Sequence, residues 1–239
     1  MSFELSEAGY LIHHRPYKEH ALLLELFTVG RGRVSAVCRM TKKNETSVKA
    51  RLRTFEPLTF TLIQSKRSEL MILKEVQNVD RLAPIPTPAV FCGEYLNELL
   101  YYLYRDTDGN PALFSSYINA LKVLRQQKSL RKTEEALRSF ELQLLEDLGY
   151  APDFISPQGS WLSDALYSYM PDSGFVLTEY AGKRLIRGKD LNELAAGGSL
   201  SPEAMRALKN VTARAIAVLL KGKQLKSREL YLNFLKLTA

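Results

Sequence analysis

The stretch Thr133–Tyr150, TEEALRSFELQLLEDLGY, constrains the fold most, because it carries the signals of a complete amphipathic helix. Apolar residues recur at intervals of three and four positions, with charged residues between them, which predicts one buried and one solvated face. Thr133 is a suitable N-cap with two glutamates behind it, and Gly149 followed by Pro152 predicts an end near Leu148. The chain therefore has a central helix around which other elements are expected to pack.

Residues 9–80 have a different pattern, with short apolar runs separated by turn signals. Leu58, Phe60 and Leu62 alternate with threonines, which is the period of a half-buried strand. Five strands of this size match an OB-fold, a small barrel that commonly binds single-stranded nucleic acid. We predict an α+β chain with an N-terminal five-stranded OB-fold β-barrel at residues 1–80. The expected strands are Tyr10–Arg15, Ala21–Thr28, Arg33–Met40, Pro57–Gln64 and Leu70–Val79.

Three prolines within Arg81–Pro88 mark a change from strand to helix patterns, and we expect the domain boundary there. The pairs Thr87-Pro88 and Asn110-Pro111 have the cap-then-proline order that begins a helix. Two helices are therefore expected before the central one, and short loops between the three favour a bundle. A mostly α-helical domain at residues 81–239 follows from this pattern.

Residues 151–200 lack a helical pattern and hold aromatic residues among glycine, serine and proline. We expect a loop-rich lobe there, with one hairpin. Ser201-Pro202 predicts the start of another helix, and Ser227 is expected to cap the last one.

The chain has 33 Lys and Arg against 26 Asp and Glu, a formal net charge of +7. Residues 31–53 hold eight basic residues and one acid, Glu45, so the net charge of this segment equals that of the whole chain. Such clustering on a small β-domain favours a polyanion partner, although a solvated loop is the alternative. Tyr17 can stack on a base or pack in a turn, and few aromatic residues lie nearby, which predicts backbone binding with little sequence preference. The candidate DNA-binding residues are Arg15, Tyr17, Lys18, Arg31, Arg33, Arg39, Lys42, Lys43, Lys49, Arg51 and Arg53, with Lys66 and Arg67 in the last hairpin.

A second basic patch lies near the C-terminus, and it reads either as a DNA or partner surface or as a solvated turn. Its residues are Lys221, Lys223, Lys226 and Arg228.

The sequence shows no catalytic motif, since a phosphate loop, a nucleophile elbow and zinc spacing are all missing. His13 and His14 face opposite ways on a strand, and Cys38 and Cys92 form no spacing motif. No run approaches the roughly 18 apolar residues of a membrane span, and no signal pattern opens the chain. We predict a cytoplasmic protein that is not an enzyme and has no cofactor or metal. Two alternatives stay open: a non-catalytic adaptor protein, and a metal-dependent nuclease built on Glu94, Glu98, Glu141 or Asp147.

The segment LRSFELQLLEDLGYAPDF resembles the helix-plus-LGY segment of the RecO family, bacterial mediators of recombination. Three other stretches resemble this family in the same order along the chain. They are GYLIHHRPYKEHALLLELFTVGRGRV (Gly9–Val34), EYLNELLYYLY (Glu94–Tyr104) and GKQLKSREL (Gly222–Leu230). Many family members carry four zinc-binding cysteines after LGY. The stretch SPQGSWLSDALYSYMPDSG has none, so no metal site is carried over and aromatic packing is left to hold the lobe together.

The resemblance implies a mediator of DNA repair and recombination that hydrolyses no nucleotide. It implies binding to single- and double-stranded DNA, annealing of strands coated with single-stranded-DNA-binding protein, and loading of RecA together with RecR at the nucleoid. Together with local charge, it also implies a site for the acidic, apolar-ended tail of single-stranded-DNA-binding protein, although a lysine-rich surface turn is the alternative. The candidate tail-binding residues are Leu121, Leu124, Arg125, Lys128, Arg131, Lys132, Arg138 and Phe140.

Overall fold

The computed structural model describes residues 2–65, 68–105, 108–127, 129–179 and 184–238. They form two compact units, one of residues 1–133 with 225–239 and one of residues 134–224. Lys66, Arg67 and Lys128, which the sequence proposed as binding residues, lie outside the described residues. The domain boundary expected at residues 81–88 stays a prediction.

The N-terminal strands form a closed barrel in the order β1-β2-β3-β5-β4, in which only β3 and β5 run parallel. This confirms the predicted five-stranded barrel and the α+β class. The strands are β1 Ser2–Lys18, β2 Ala21–Thr28, β3 Gly32–Arg39, β4 Leu58–Ser65 and β5 Ser68–Asn78. The first begins eight residues earlier than predicted, because its first half pairs with β4 and its second half with β2. Gly9 lies where the two pairings meet, and a Cβ there would overlap the carbonyl oxygen of Phe27.

Apolar side chains from all five strands fill the barrel, among them the fully buried Leu11, Leu24, Phe60 and Leu62. The connection between β3 and β4, for which no helix was predicted, contains the helix α1 Glu45–Arg51. Val48 and Leu52 pack against the barrel core from this segment. The helix therefore has an apolar side toward the barrel and leaves its basic residues exposed.

Three helices of the first unit accompany the barrel: α2 Val90–Leu103, α3 Pro111–Gln126 and α7 Lys226–Thr238. Tyr10 of β1 and Phe27 of β2 point outward and pack against rings of these helices; for example, Tyr10 and Tyr117 have centroids 5.2 Å apart. The α3 start is as predicted, because the Asn110 side chain accepts from the Leu113 N–H at 2.9 Å. The α2 start is not at Pro88: the helix begins at Val90 without a side-chain cap.

The predicted cap of the last helix is wrong. Ser227 lies inside α7, and the cap is Glu98 of α2, which accepts hydrogen bonds from the backbone N–H groups of Lys226 and Ser227, both at 2.9 Å. A carboxylate at this position also opposes the positive end of the helix dipole. Tyr231 and Phe234 then pack against Phe91 of α2, with centroids 5.9 and 5.4 Å away. The last helix is thus held against α2.

The central helix, α4 Leu130–Asp147, begins three residues before the predicted cap. The Ser129 hydroxyl accepts from the Lys132 N–H at 3.2 Å, whereas the Thr133 hydroxyl donates back to the Ser129 carbonyl. The predicted end is confirmed: Gly149 has φ +75°, and the Tyr150 N–H donates to the Leu145 carbonyl oxygen at 2.7 Å. This is the Schellman ending that glycine favours.

The second unit, which α4 enters at Glu134, contains the strands β6 Leu166–Met170, β7 Gly174–Leu177 and β8 Ile186–Arg187, and the helices α5 Gly188–Ala196 and α6 Pro202–Leu220. The β6–β7 hairpin agrees with the expected one, but β8 and α5 were not predicted. Trp161 holds this lobe at its centre, with ring centroids 5.0 Å from Tyr167 and 5.6 Å from Phe175.

Candidate nucleic-acid interface

The β1–β2 hairpin, the end of β3 and the segment leading to α1 meet at one end of the barrel. Lys18 pairs with Ala21 across the hairpin, and Ala21 pairs with Arg39 of β3. The Met40 N–H donates to the carbonyl oxygen of His20 in the hairpin turn at 2.7 Å. The strand register therefore brings together cations that are far apart in sequence. Lys42 and Lys43 follow shortly after β3, and Arg51 ends α1 in the same connecting segment. We call the exposed cations of the hairpin, of the end of β3 and of this connecting segment the hairpin-end cluster: Arg15, Lys18, Arg39, Lys42, Lys43 and Arg51.

All six side chains of the hairpin-end cluster are exposed. In the part of the chain that the structure describes, no carboxylate forms an ion pair with any of them. The two other predicted cations nearby are paired: Lys49 with Glu45 at 2.6 Å and Arg53 with Glu56 at 3.3 Å. Exposed ion pairs of this kind are weak and open readily, but each acid cancels the charge of its cation, so the pair adds no net positive charge to the surface. The cluster thus carries most of the uncompensated positive charge at this end.

Tyr17 lies in the same hairpin and is 41% exposed, so its ring is not packed in the turn. The Lys18 ammonium lies 5.5 Å from the ring centroid, within the range of a cation–π contact. An exposed ring beside a cation offers both a stacking surface for a base and a charge for its phosphate.

Arg31 and Arg33 lie at the opposite end of β3 from the hairpin-end cluster. Met40, directly after the end of β3, lies seven positions after Arg33. An extended chain of this length spans roughly 23 Å. Arg31 contacts a carboxylate oxygen of Glu7 and the amide oxygen of Gln64, both at 3.4 Å. The basic segment that looked continuous in sequence is therefore divided between two ends of the barrel.

Arg33 has a structural role, because its guanidinium binds a carboxylate and two backbone carbonyl oxygens of the protein. It pairs with Glu25 at 3.0 Å and donates to the carbonyl oxygens of Tyr101 and Tyr104, at 2.5 and 3.2 Å. Its guanidinium carbon also lies 4.9 Å from the centroid of the Tyr101 ring. These contacts join the barrel to α2, and we leave Arg33 out of the proposed interface.

Part of the second basic patch lies near β1. Burial lowers the pKa of His13, the charge of His14 lowers it further, and Arg15 and Lys226 add smaller effects against the opposing Glu25. Lys226 at the start of α7 is therefore within electrostatic reach of His13. His13 lies two positions before Arg15, the first residue of the hairpin-end cluster. His13 packs on Tyr101, with centroids 4.4 Å apart. Arg228 is exposed in the same unit, and Lys221 and Lys223 are exposed in the other.

Four of the eight predicted tail-binding residues are buried. Leu121, Leu124 and Phe140 are fully buried, so they form no open slot for a peptide ring. Arg125 donates to the carbonyl oxygens of Phe55 and Ala83, and burial lowers its pKa.

Arg138 is also buried and pairs with Glu141 at 2.5 Å. Arg131 and Lys132 are exposed at the start of α4, directly after Leu130, which is 78% exposed. Of the predicted tail site, these two cations and the neighbouring leucine are on the surface.

Two of the carboxylates considered for a metal-dependent nuclease, Glu98 and Glu141, bind other groups of the protein. Glu98 caps α7, and Glu141 binds Arg138 and the Thr212 hydroxyl. Burial raises the pKa of Glu94, and the charge of Glu98 raises it further. Among the described residues, no group of three or more His, Cys, Asp or Glu is placed to hold a metal ion. The lobe after Tyr150 has no cysteine in its sequence and packs aromatic rings against each other.

The comparisons with known proteins agree along nearly the whole chain. Residues 1–81 match the family model "Recombination protein O N terminal", and residues 88–229 match "Recombination protein O C terminal". The chain belongs to the RecO family. It is 33% identical over 232 residues to the DNA repair protein RecO of Erwinia tasmaniensis, covering 96% of this chain and 93% of the relative. It is 34% identical over 235 residues to that of Tolumonas auensis, covering 97% and 96%.

Membership of the RecO family supports a role in DNA repair and recombination, and it confirms the resemblance seen in the four sequence stretches. Along the described chain, we find no helix with both the length and the hydropathy needed to cross a membrane.

Proposed function

We propose that this RecO-family chain is a non-catalytic mediator that binds single- and double-stranded DNA through the hairpin-end cluster. The observation that carries the proposal is a set of six exposed cations on the β1–β2 hairpin, the end of β3 and the segment through α1, none of which pairs with a carboxylate of the described residues. Phosphates need cations on adaptable side chains, and contacts to phosphate read no sequence. Tyr17 supplies a ring on which bases of any type can stack.

Annealing of complementary strands follows from this binding without a reaction step. Two strands repel each other until their phosphates are neutralised, and a protein that binds both lowers this barrier. Lys226 and Arg228 extend the basic surface near His13, and Lys221 and Lys223 add charge in the second unit. Nucleotide hydrolysis has no part in this scheme.

The cellular partners that we propose come from the family. They are single-stranded-DNA-binding protein, whose coated strands are annealed, and RecR, with which the chain assists the loading of RecA. The site of action is the nucleoid in the cytoplasm. The exposed group Leu130, Arg131 and Lys132 is our candidate for the acidic, apolar-ended tail, since it joins one apolar side chain to two cations.

Charge reversal tests the DNA interface. Replacing Arg39, Lys42, Lys43 and Arg51 by Glu should weaken binding to all strands alike. The salt dependence of single-strand binding should become shallower by about 0.7 for each phosphate contact that is lost. Fluorescence anisotropy over a salt series measures both effects. The matched control reverses four exposed cations elsewhere, Arg81, Arg105, Lys122 and Lys236, and so has the same net charge. Equal loss in both variants, or no loss in the first, rejects the hairpin-end cluster.

A double reversal tests the tail site. Arg131→Glu with Lys132→Glu should abolish binding of a peptide with an acidic run and a C-terminal Phe, and should stop annealing of protein-coated DNA. Annealing of bare DNA should persist. Arg105→Glu with Lys122→Glu is the control of equal charge. Normal peptide binding by the first variant, or loss of both annealing reactions, excludes this site and directs attention to Lys221–Arg228.

A further inference from the structure

The strand β7 lies at one edge of the three-stranded sheet in the second unit, whose strand order is β7-β6-β8. One side of β7 pairs with β6, and in the described part of the chain no strand pairs with its other side. The strand Gly174–Leu177 contains no charged residue and no proline, which are common means by which proteins block such an edge. The outer side of β7 is therefore open to pairing with a further strand.

The register of the hairpin determines which backbone groups face this outer side. The Thr178 N–H donates to the carbonyl oxygen of Leu166 at 2.9 Å, so these two residues form a hydrogen-bonded pair. Hydrogen-bonded and non-hydrogen-bonded pairs alternate along an antiparallel ladder. Val176 therefore bonds to β6, whereas Phe175 and Leu177 direct their N–H and C=O groups away from it. Within the described residues, no turn, loop or cap makes a backbone hydrogen bond to these outward groups.

Apolar side chains near this edge are open to solvent. Val176 is 44% exposed and Leu177 is 55% exposed, and as neighbours in a strand they lie on opposite faces of the sheet. Ile155, which is 70% exposed, directly follows Phe154, whose ring packs on that of Phe175 with centroids 5.7 Å apart. An added strand would satisfy backbone groups and also cover apolar surface, and these are the two sources of affinity in strand addition.

The charges at the two ends of β7 are negative, although the chain as a whole is basic. Asp172 lies in the turn before the strand, Glu179 follows it, and Asp153 lies in the segment that packs on it; all three are exposed. Within the described chain, none of the three forms an ion pair. Burial raises the pKa of Tyr169 in β6, Arg214 lowers it and Asp172 raises it, so one cation opposes these acids at the sheet. The excess of acids favours a basic partner.

We propose that the outer edge of β7 binds an extended basic segment of a partner protein by strand addition. The segment bonds to the backbone of Phe175 and Leu177, places apolar side chains at alternate positions against the exposed ones, and directs Lys or Arg at its ends to Asp172 and Glu179. A second copy of this chain fits less well, because antiparallel pairing of two β7 strands brings Asp172 of one copy close to Glu179 of the other. This surface is a protein-binding site, and it does not depend on the proposed binding of DNA.

Two designed peptides test the edge. The first is a strand of about seven residues in which threonine and valine alternate and lysine stands at both ends. The second has glutamate in place of the lysines. The full chain should bind the lysine peptide at least tenfold more tightly than the glutamate peptide. In the complex, the Phe175 and Leu177 amides should become protected from hydrogen exchange, whereas the Val176 amide, which already bonds to β6, should change little.

Substitutions at Leu177 separate its backbone from its side chain. Leu177→Pro removes one outward N–H and leaves the ladder to β6 intact, so it should abolish binding of the lysine peptide. Leu177→Ala keeps the N–H and should keep most of the affinity. A lysine peptide that is N-methylated at alternate residues lacks the donors to β7 and should not bind the unsubstituted chain. This peptide tests the same contact should Leu177→Pro fail to fold, which circular dichroism would show.

Neutral substitutions test the charges. Asp172→Asn with Glu179→Gln should weaken binding of the lysine peptide about fivefold, as expected for two exposed ion pairs. The matched control, Glu69→Gln with Asp80→Asn, neutralises two exposed acids of the first unit and should leave the affinity unchanged.

Three results would overturn this site. They are no binding of the lysine peptide, equal binding of both peptides, and binding that survives Leu177→Pro in a folded protein. A dimer of the full chain that Leu177→Pro dissociates would also overturn it, because β7 would then pair with a second copy. DNA affinity should be the same in all these variants, so loss of the β7 site leaves the hairpin-end cluster to its own test.

Discussion

At the scale of single residues, a basic side chain binds DNA or holds the protein together according to the acceptors around it. Arg33 and Arg39 belong to one strand and one basic segment, but Arg33 meets Glu25 and two carbonyl oxygens, whereas Arg39 is exposed. Glu25 is itself buried and also accepts from Ser35 at 2.8 Å. These partners come from a neighbouring strand and from a helix about 70 residues away, so sequence alone cannot separate the two arginines.

Substitution by lysine should distinguish the structural role of Arg33 from the proposed DNA contact of Arg39. Arg33→Lys keeps the charge but lacks the planar fork, so it should leave buried acceptors unsatisfied and lower the free energy of unfolding by about 1–3 kcal/mol. Its affinity for DNA should stay unchanged. Arg39→Lys is the matched control and should change neither quantity. Urea unfolding and anisotropy measure the two properties; an Arg33→Lys protein of full stability that binds DNA poorly would reverse our assignment.

His13 links stability to pH. Its pKa is lowered in the folded protein, first by burial, so the unfolded chain binds more protons between the lowered value and the ordinary value of about 6.5. The free energy of unfolding should therefore fall as the pH drops below about 6.5. Unfolding curves for the chain and for His13→Gln between pH 5 and pH 8, roughly the range in which histidine titrates, measure this effect. The substitution should flatten the dependence; an unchanged slope would assign it to other groups.

At the scale of elements, α7 depends on a cap from another helix. Glu98→Ala should remove the acceptor for two N–H groups and cost about 1–2 kcal/mol. The loss should be local, with faster hydrogen exchange of the first α7 amides and little change in the barrel. Glu98→Gln keeps one acceptor oxygen, so its rates of hydrogen exchange in α7 should lie between those of the unsubstituted chain and those of Glu98→Ala. Unchanged α7 exchange in Glu98→Ala would show that packing on Phe91 alone holds the helix.

The elements that the sequence predicted well have their signals nearby in the chain. Asn110 and Ser201 cap the helices that follow them, and Gly149 ends α4, because each acts on backbone groups within five residues. The predicted helix caps were wrong where another residue nearby could also cap the helix, or where the capping group came from a distant part of the chain. Ser129 caps α4 four residues before Thr133, and α7 is capped from α2.

At the scale of the whole molecule, the sequence predicted the barrel, but not which of its surfaces carries the exposed cations. The five strands follow from alternation and turns, whereas the hairpin-end cluster depends on strand register. The elements β8 and α5 of the second unit were not predicted either, since their residues give weak local patterns. The charge pattern therefore indicated that a basic surface exists, but not which of its cations lie together.

The lobe of the second unit should fold and work without metal, because its core is made of rings. Phe175 contacts Phe154, Trp161 and Tyr169, with centroids between 5.1 and 5.7 Å. A chelator should therefore leave the emission of Trp161, the single tryptophan, and strand annealing unchanged, and ATP should not be needed. Phe175→Ala should instead lower the free energy of unfolding by about 2–3 kcal/mol and shift that emission.

Metal analysis of the purified protein completes the test of this aromatic core. Stoichiometric zinc, or annealing that chelator abolishes in a buffer without Mg²⁺, would mean that ligands outside the lobe hold a metal. A Phe175→Ala protein of unchanged stability would show that the rings contribute little. With neither result, the contacts of Phe175 stabilise the lobe without a metal, as the aromatic packing predicts.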